Sequence, residues 1–277
     1  KDYFLPSLNL KYNLNDKNSL RLGASKTYTL PQAKEISPYR YVGVNFNSQG
    51  NPNLKPSDNY NLDLKWDFNP TPTELISLTA FYKLIKNPIS RIEVASAGGY
   101  LSYENIADKA TVAGVEIEIR KNLFVRPVSN AAHGMNKLSL GLNGSYIYTN
   151  AKMPLATVTT GSQLEGAAPW IVNFDLSHNF TKGERSFVNT LVLNYVSDKI
   201  YTIGTQGYQD IMEQGVLTLD FVSQAKLNKH LSLNLKARNL LNSSYKLSRK
   251  ANENGEKVIL NDYKKGINIS LGVSCTF

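Results

Sequence analysis

The sequence predicts an all-β chain, a transmembrane antiparallel β-barrel of about eleven strands. Two observations lead to this prediction. Short segments alternate between apolar and polar residues, and the connections between them alternate between short and long. The last segment, residues 264–277, shows the alternation most clearly: its odd-numbered residues from Ile267 to Phe277 are apolar, and its even-numbered residues are small or polar. Successive side chains of a strand point to opposite faces, so such a strand has one apolar and one polar face.

Composition narrows the possible classes of protein. The chain has 277 residues, of which 42% are hydrophobic, and it contains no run of about 18 apolar residues, which excludes a transmembrane helix. The net charge of +9 comes from scattered basic residues, which argues against a nucleic-acid-binding stripe. Cys275 is the single cysteine, so the chain can form neither an internal disulfide nor a cysteine-based metal site.

One segment separates a membrane barrel from a soluble β-sandwich. In residues 60–68 the even positions are all apolar or aromatic, whereas Asn61, Asp63, Lys65 and Asp67 occupy the other face. Charged and amide groups cannot lie in a dry core without partners, but a water-filled lumen accommodates them. The eleven predicted strands are residues 7–13, 19–30, 60–68, 75–86, 111–123, 137–149, 170–180, 187–196, 216–227, 231–245 and 264–277.

The connections carry a second pattern. Short connections alternate with long ones. The short connections are residues 13–18, 69–73, 181–185 and 228–230, and the long ones are residues 31–57, 87–109, 150–166, 200–215 and 246–263. Only the connection at residues 121–136, which has a middling length, breaks the alternation. Outer-membrane barrels have short periplasmic turns and longer extracellular loops. A soluble sandwich has no physical reason to keep this asymmetry, so the pattern favours the barrel.

Several motifs resemble one family. They are SKTYTLPQA (25–33), GNPNLKPSDNYNLDLKW (50–66), AFYKLIKNPI (80–89), NIADKATVAGVEIEI (105–119), LNLKARNLLNSSY (233–245) and the terminal aromatic Phe277. Together, in this order, they resemble the C-terminal half of the barrel of TonB-dependent receptors, which are outer-membrane active transporters. Such barrels have about 22 strands around a plugged lumen. The resemblance therefore implies that residues 1–277 are a single barrel region forming about half of the wall.

The resemblance also implies partners. In this family the plug domain and the energy-coupling box precede the barrel, and neither is visible in this sequence. We therefore expect the chain to contact its own N-terminal barrel half, the plug, outer-membrane lipid and lipopolysaccharide, and to act with the TonB energising complex through the plug. A surface lipoprotein partner is known in some relatives, but no residue here indicates it. The sequence begins nearly inside a strand, so we expect further sequence to precede it. The resemblance assigns Phe277 to the barrel-assembly signal.

The long loops hold the best candidates for ligand binding. Their Tyr, Asn and Gln side chains supply the stacking and hydrogen bonds that suit glycans, peptides or chelates. The alternative is that these are ordinary solvated loops. The ligand-loop candidates are Tyr39, Arg40, Tyr41, Asn45, Tyr100, Tyr103, Tyr201, Gln206, Tyr208 and Gln209.

Charged residues on the polar faces of the strands are predicted to point into the lumen. Contact with a plug is the simpler role for them, and a charged path for substrate is the alternative. The lumen- or plug-facing candidates are Asp63, Lys65, Asp67, Glu116, Glu118, Arg120, Asp175, Asp220, Lys226, Lys236 and Arg238.

No enzymatic site is predicted. His133, His178 and His230 are scattered without metal-ligand spacing, and the sequence has no G-x-S-x-G elbow. We expect no catalytic activity, no bound cofactor and no metal site. The function implied is TonB-dependent import of a nutrient, which could be a siderophore, a glycan, a peptide or a cofactor. A non-transporting barrel that acts as an adhesin or assembly scaffold is the alternative. The importer hypothesis predicts that the strands at residues 7–13 and 264–277 are both open edges and do not pair with each other.

Overall fold

The computed structural model describes residues 3–96, 99–128, 134–153, 161–251 and 256–276. These residues are almost entirely antiparallel β-structure, as predicted. The strands are β1 (Ser7–Asn15), β2 (Asn18–Thr29), β3 (Arg40–Tyr41), β4 (Ser48–Gln49), β5 (Ser57–Phe68), β6 (Leu75–Lys86), β7 (Ile89–Val94), β8 (Tyr100–Asn105), β9 (Lys109–Pro127), β10 (Met135–Ala151), β11 (Trp170–Lys182), β12 (Arg185–Val196), β13 (Lys199–Thr202), β14 (Ile211–Glu213), β15 (Val216–Lys226), β16 (Leu231–Arg238), β17 (Ser244–Lys250), β18 (Lys257–Lys264) and β19 (Asn268–Cys275), with one short helix, α1 (Ala33–Ile36).

Eleven strands form one continuous sheet, which we call the wall. Its order is β1-β2-β5-β6-β9-β10-β11-β12-β15-β16-β19, and every neighbouring pair is antiparallel. Because β1 and β19 stand at opposite ends of this order, the prediction of two separate edges is confirmed for the described residues. Within those residues no helix has the length and apolar character needed to cross a membrane.

Short and long connections alternate along the whole wall. The prediction of a middling connection at residues 121–136 is wrong, because β9 runs on to Pro127 and β10 starts at Met135. The Val128 N–H donates to the Gly134 carbonyl at 3.1 Å and closes this turn. The pairing of β9 with β10 shifts register here, because Ser139 pairs with Asn122 whereas Leu138 pairs with Phe124, so Leu123 is an extra residue in β9. All short turns therefore lie at one end of the wall and all long loops at the other.

The two faces of the wall differ in chemistry. Along β5 the apolar residues Leu62 and Leu64 are about half exposed, whereas Asn59 and Asp67 on the other face are buried. Polar side chains on this second face bond across strands, as Asn61 Nδ2 does to Ser25 Oγ at 3.2 Å. An apolar face without protein cover and a hydrogen-bonded polar face are what a strand between lipid and lumen requires.

The C-terminal strands differ from the prediction. Residues 231–245 are not one strand, because β16 ends at Arg238 and the backbone then turns through Asn239 (φ 55°) and Asn242 (φ 46°). Asparagine tolerates this left-handed conformation better than most residues. The Asn239 Nδ2 also donates to the Gly266 carbonyl at 2.8 Å. The closing strand β19 begins at Asn268, so Lys264 belongs to β18 instead.

The long loops are folded into two four-stranded sheets. The second of them, loop sheet 2, has the order β13-β14-β17-β18. Along the chain, β13 follows β12, β14 precedes β15, β17 follows β16, and β18 precedes β19. The wall strands β12, β15, β16 and β19 are neighbours in this same order, so loop sheet 2 continues the wall beyond its long-loop end. Loop sheet 1 has the order β3-β4-β8-β7 and contains a parallel contact between Ser48 and Leu101.

The two loop sheets are joined by backbone hydrogen bonds. Ile92 of β7 forms a parallel bridge with Ile203. The Glu93 N–H donates to the Ile203 carbonyl at 3.0 Å, and the Ile203 N–H donates to the Arg91 carbonyl at 3.0 Å. Loops that are far apart in sequence are thereby held as one unit.

The hydrophobic core lies beneath these loops. Ile92, Ile106, Leu164 and Ile203 are buried together with Ala110 of the wall. Ala110 has the same strand parity as Glu116 and Glu118, so the loops pack on the polar face of the wall. The loop sheets therefore cover the lumen side of the wall at its long-loop end.

Candidate ligand site between the loop sheets

A cavity of about 510 Å³ lies between the two loop sheets. Its size falls in the range of small-molecule sites, and its lining combines aromatic rings with a few polar and charged groups, as such sites do. It is lined by Lys34, Asn45, Phe46, Ser48, Arg91, Leu101, Tyr103, Tyr201, Glu213, Tyr245, Lys246, Leu247, Asn261 and Tyr263.

Arg91 of β7 is the most constrained charge in the cavity. Its Nη2 donates to Glu165 Oε1 at 2.9 Å, and its backbone N–H donates to Glu165 Oε2 at 2.6 Å. Its guanidinium also lies 4.3 Å from the centre of the Tyr201 ring, within cation–π range. The buried Nε of Arg91 has no hydrogen-bond partner among the described residues. The contacts with Glu165 and Tyr201 thus hold the Arg91 side chain in place beside the cavity.

Aromatic rings form two sides of the cavity. Phe46 lies 6.2 Å from Tyr201 in a tilted arrangement. On loop sheet 2, Tyr245 and Tyr263 stack at 5.5 Å between ring centres. Burial raises the pKa of the Tyr103 hydroxyl, and the nearby Arg91 charge only partly opposes this effect. Tyr103 therefore stays protonated at neutral pH and can donate a hydrogen bond.

The charged groups of the cavity are mainly basic. Lys246 forms an ion pair with Asp262 at 3.6 Å, and Glu213 is paired with Lys199 at 3.4 Å. Lys34 has no carboxylate within ion-pair distance in the described part of the chain, and its ammonium lies 5.6 Å from the centre of the Tyr41 ring. An anionic ligand in the cavity would therefore meet the positive charge of Lys34, which no carboxylate of the described residues neutralises.

A second ion pair fixes the junction beside the cavity. Arg249 of loop sheet 2 pairs with Glu93 of loop sheet 1, and both side chains are largely covered. The Thr205 hydroxyl donates to the Glu93 carbonyl at the same junction. Charged groups in covered positions need such partners, so the pair defines how the sheets meet.

The cavity brings together only some of the predicted ligand-loop residues. Asn45, Tyr103 and Tyr201 line it. Arg40 instead lies 5.0 Å from the ring of Tyr100, outside the cavity lining. The remaining candidates lie elsewhere: Tyr39 and Tyr41 are exposed, Gln206 occupies a turn with a positive φ of 52°, Tyr208 lies beside Arg249, and Gln209 lines a smaller pocket.

Several lining residues were missed from the sequence. Arg91, Tyr245, Lys246 and Tyr263 belong to segments treated as strand ends or unstructured loop. The sequence does contain a signal for the short strand that carries some of them. Tyr245, Leu247 and Arg249 alternate with smaller or polar residues, as the side chains of a strand do.

The predicted lumen charges lie on the polar face of the wall. Lys65 pairs with Asp67 at 3.5 Å, and Glu118 pairs with Arg120 at 2.8 Å. Asp220 accepts a hydrogen bond from the Asn239 N–H at 2.8 Å. Asp63, Glu116, Asp175, Lys226, Lys236 and Arg238 share this face through the strand register. Contact of any of them with a plug remains a prediction. Phe277 and His133 lie outside the described residues.

The described residues contain no cluster of three or more His, Cys, Asp or Glu side chains that could hold a metal ion.

Comparison with known proteins identifies the family. The TonB dependent receptor-like, beta-barrel family matches residues 1–240. An iron-regulated outer membrane virulence protein of Vibrio cholerae is 25% identical over 228 residues, which are 79% of this chain and 32% of that protein. The chain thus spans about a third of the length of this relative.

Solved structures show the same fold. The ferric enterobactin receptor of Pseudomonas aeruginosa matches 99% of this chain and 40% of its own chain, with a TM-score of 0.61 and 17% identity. The ferric yersiniabactin uptake receptor of Yersinia pestis matches 99% and 37%, with a TM-score of 0.60 and 16% identity. The chain belongs to the TonB-dependent receptor family of outer-membrane β-barrels.

Proposed function

We propose that this chain is the C-terminal half of the barrel wall of a TonB-dependent importer. The observation that carries the proposal is the cavity that four long loops build over the lumen face of the wall. A scaffold barrel has no need of a cavity lined by aromatic and charged loop residues on its lumen side. In this proposal the missing strands and the plug domain lie in the part of the receptor outside this sequence.

The mechanism divides the work between loops, wall and plug. The loop cavity captures the nutrient outside the membrane. The plug, pulled by TonB with energy from the inner-membrane proton gradient, then opens a path through the lumen. In this proposal the charged residues on the polar face of the wall, among them the Lys65–Asp67 and Glu118–Arg120 pairs, face the plug and contact it through hydrogen bonds and ion pairs. The apolar face contacts lipid.

The chemistry of the cavity favours an anionic ligand with planar or aromatic parts. Lys34 supplies a positive charge without a carboxylate partner among the described residues, and Arg91 supplies a guanidinium that is paired with Glu165. Phe46, Tyr201 and Tyr245 supply surfaces for stacking. Among a siderophore, a glycan, a peptide and a cofactor, an anionic metal chelate of the siderophore class fits best. The names of the enterobactin and yersiniabactin receptors support this choice.

Two cavity variants of the full-length receptor test the proposal. Arg91→Gln removes the charge, and Tyr201→Leu removes the stacking surface. Tyr39→Leu is the matched control, because this tyrosine is 76% exposed and does not line the cavity. Probes are a ferric catecholate, a ferric hydroxamate and a maltooligosaccharide, each radiolabelled. We expect binding of one ferric chelate to weaken about 10-fold to 100-fold in each cavity variant, which corresponds to loss of one charge-assisted or stacking contact.

Transport is measured in the same cells. Uptake by the unaltered receptor should stop when the proton gradient is collapsed, while surface binding persists. If no probe binds, or if Arg91→Gln and Tyr201→Leu bind the chelate as well as Tyr39→Leu does, the cavity is not the ligand site. If no probe is taken up at all, the adhesin or scaffold alternative leads.

A further inference from the structure

Three lysines come together on the outside of the wall, at its long-loop end, and we call them the rim lysines. Lys86 is the last residue of β6 and stands directly opposite Lys109, the first residue of β9. Lys26 of β2 stands opposite Tyr60 of β5, the strand between β2 and β6. The rim lysines therefore lie on neighbouring strands in the middle of one connected surface.

This surface belongs to the apolar face of the wall. Tyr60 and Leu64 are both even-numbered residues of β5, so their side chains point to the same side, and Leu64 is 50% exposed there. Directly paired residues of neighbouring strands share a side. Lys26 pairs with Tyr60, and Lys86 pairs with Asp58, another even-numbered residue of β5. The rim lysines thus share the side that faces lipid.

The height of the rim lysines matches the lipid headgroups. Leu64 is the middle of the apolar residues that run from Tyr60 to Phe68 on this side of β5. From Leu64 to Asp58, which is level with Lys86, the strand rises by about 20 Å, or about 15 Å along the membrane normal at a tilt of about 40°. Half of the apolar band of a barrel is only about 12 Å high. The lysines consequently stand just above the hydrocarbon.

The positive charge of this surface is only partly compensated. Lys26 forms an ion pair with Asp58 at 3.4 Å. The ammonium groups of Lys26 and Lys86 lie 5.6 Å and 5.4 Å from the centre of the same Tyr60 ring, which draws both cations to one place. Neither Lys86 nor Lys109 has a carboxylate within ion-pair distance in the part of the chain that the structure describes. Like charges directly opposite each other destabilise a strand pair, so an anion between these two lysines would stabilise it.

The absence of a carboxylate partner does not come from an open edge of the wall. β6 and β9 are interior strands, and each is flanked by two strands of the wall. In the loop that joins them, the residues outside the described part of the chain are Ala97 and Gly98, which carry no carboxylate. The charge of Lys86 and Lys109 is therefore a property of this surface.

We propose that Lys86 and Lys109, with Lys26 and Tyr60 beside them, bind a phosphate monoester of lipopolysaccharide in the outer leaflet of the membrane. A phosphate monoester carries about 1.5 to 2 negative charges at neutral pH, which balances Lys86 and Lys109, whereas the diester of a phospholipid carries a single charge. The Tyr60 ring, at the headgroup level, packs beside the acyl chains. The proposal rests on the orientation in which the long loops are extracellular, and it is independent of import and of the loop cavity.

Binding of a deep-rough lipopolysaccharide to the full-length receptor in detergent micelles tests the proposal. Lys86→Gln and Lys109→Gln each remove one charge with little change in side-chain length. We expect the dissociation constant to rise about 5-fold in each variant and about 30-fold when the two are combined, as is typical of one and of two lysines at an anionic lipid surface. Phosphatase treatment of the lipid should weaken its binding to the unaltered receptor by at least about 10-fold for the same reason.

Two further variants separate charge recognition from an effect on folding. Lys83→Gln is the matched control, because Lys83 lies on the same strand but on its polar face, and binding should not change. Asp58→Asn removes the carboxylate that is paired with Lys26 and should tighten binding about 5-fold. A merely structural role of the Lys26–Asp58 pair predicts weaker binding instead.

Equal binding by the combined variant and by Lys83→Gln would overturn the proposal. If phosphatidylglycerol or inorganic phosphate competes as well as the lipopolysaccharide does, the rim lysines form a general anion surface and the assignment to a lipopolysaccharide monoester is wrong. Uptake of the ferric chelate is measured on the same receptors. An unaltered receptor that binds lipopolysaccharide as expected but imports no chelate would refute the importer proposal alone.

Discussion

Placing arginine at Leu64 should strongly destabilise the receptor, because this residue occupies the middle of β5 on the apolar face. Its register partners are Leu22 and Ala80, so its neighbours on that face offer neither water nor a counter-ion. The side chain is 50% exposed in the absence of lipid, which means that no protein group covers it.

The magnitude follows from the lipid environment. Arginine at the midplane of a membrane barrel costs about 2–4 kcal/mol. The Leu64→Arg receptor should therefore lose roughly 30-fold to 1,000-fold in its folding equilibrium. Thr79→Arg is the matched control, because Thr79 lies on the polar face between Lys65 and Glu116, where the carboxylate and lumen water accept the charge.

The assay is a urea titration that unfolds the full-length receptor reversibly in phospholipid vesicles and gives its free energy of unfolding. We expect Leu64→Arg to be less stable than Thr79→Arg by at least about 2 kcal/mol. Equal stability of the two variants would refute the assignment of the apolar face to lipid.

Two further predictions follow from the loops and turns. The first uses a receptor in which Cys275 is replaced by serine. Val44→Cys in a long loop should react with an impermeant thiol reagent in intact cells, whereas Lys229→Cys in a short turn should react only after the outer membrane is opened. The reverse pattern would invert the topology. Hydrogen bonding to Lys121 lowers the pKa of Glu74 from its ordinary value of 4.5, so this group stabilises the fold above pH 4.5 and the contribution is lost as the pH falls below it. Glu74→Gln should make stability less dependent on pH in that range, and an unchanged pH profile would contradict the role of this contact.

The wall was predictable because its signal is local. Alternation in residues 75–86 reproduces the bounds of β6, since apolar residues must meet lipid at every second position. The break after Arg238 was missed although the sequence marks it, because Asn239 falls on the apolar parity of Leu235 and Ala237 and interrupts the alternation. Asn239 and Asn242 adopt positive φ where the strand ends.

The candidate site was only partly predictable because its geometry depends on pairing between distant loops. Tyr103 and Tyr201 could be selected from their chemistry as loop residues. The contact of Arg91 with Glu165 joins residues 74 positions apart, and the bridge from Ile92 to Ile203 joins residues even farther apart. Nothing in a single sequence specifies such long-range partners. The part that residues 244–264 take in lining the cavity was hidden for the same reason, since β17 joins loop sheet 2 by pairing with β14.

The central claim is that this chain is half of the wall of a larger barrel, and an experimental structure of the full-length receptor in lipid tests it most directly. The account predicts about 22 strands, with about eleven further strands completing the barrel between β19 and β1 and a plug in contact with the polar face of the wall. A closed barrel in which β1 pairs directly with β19 would contradict it.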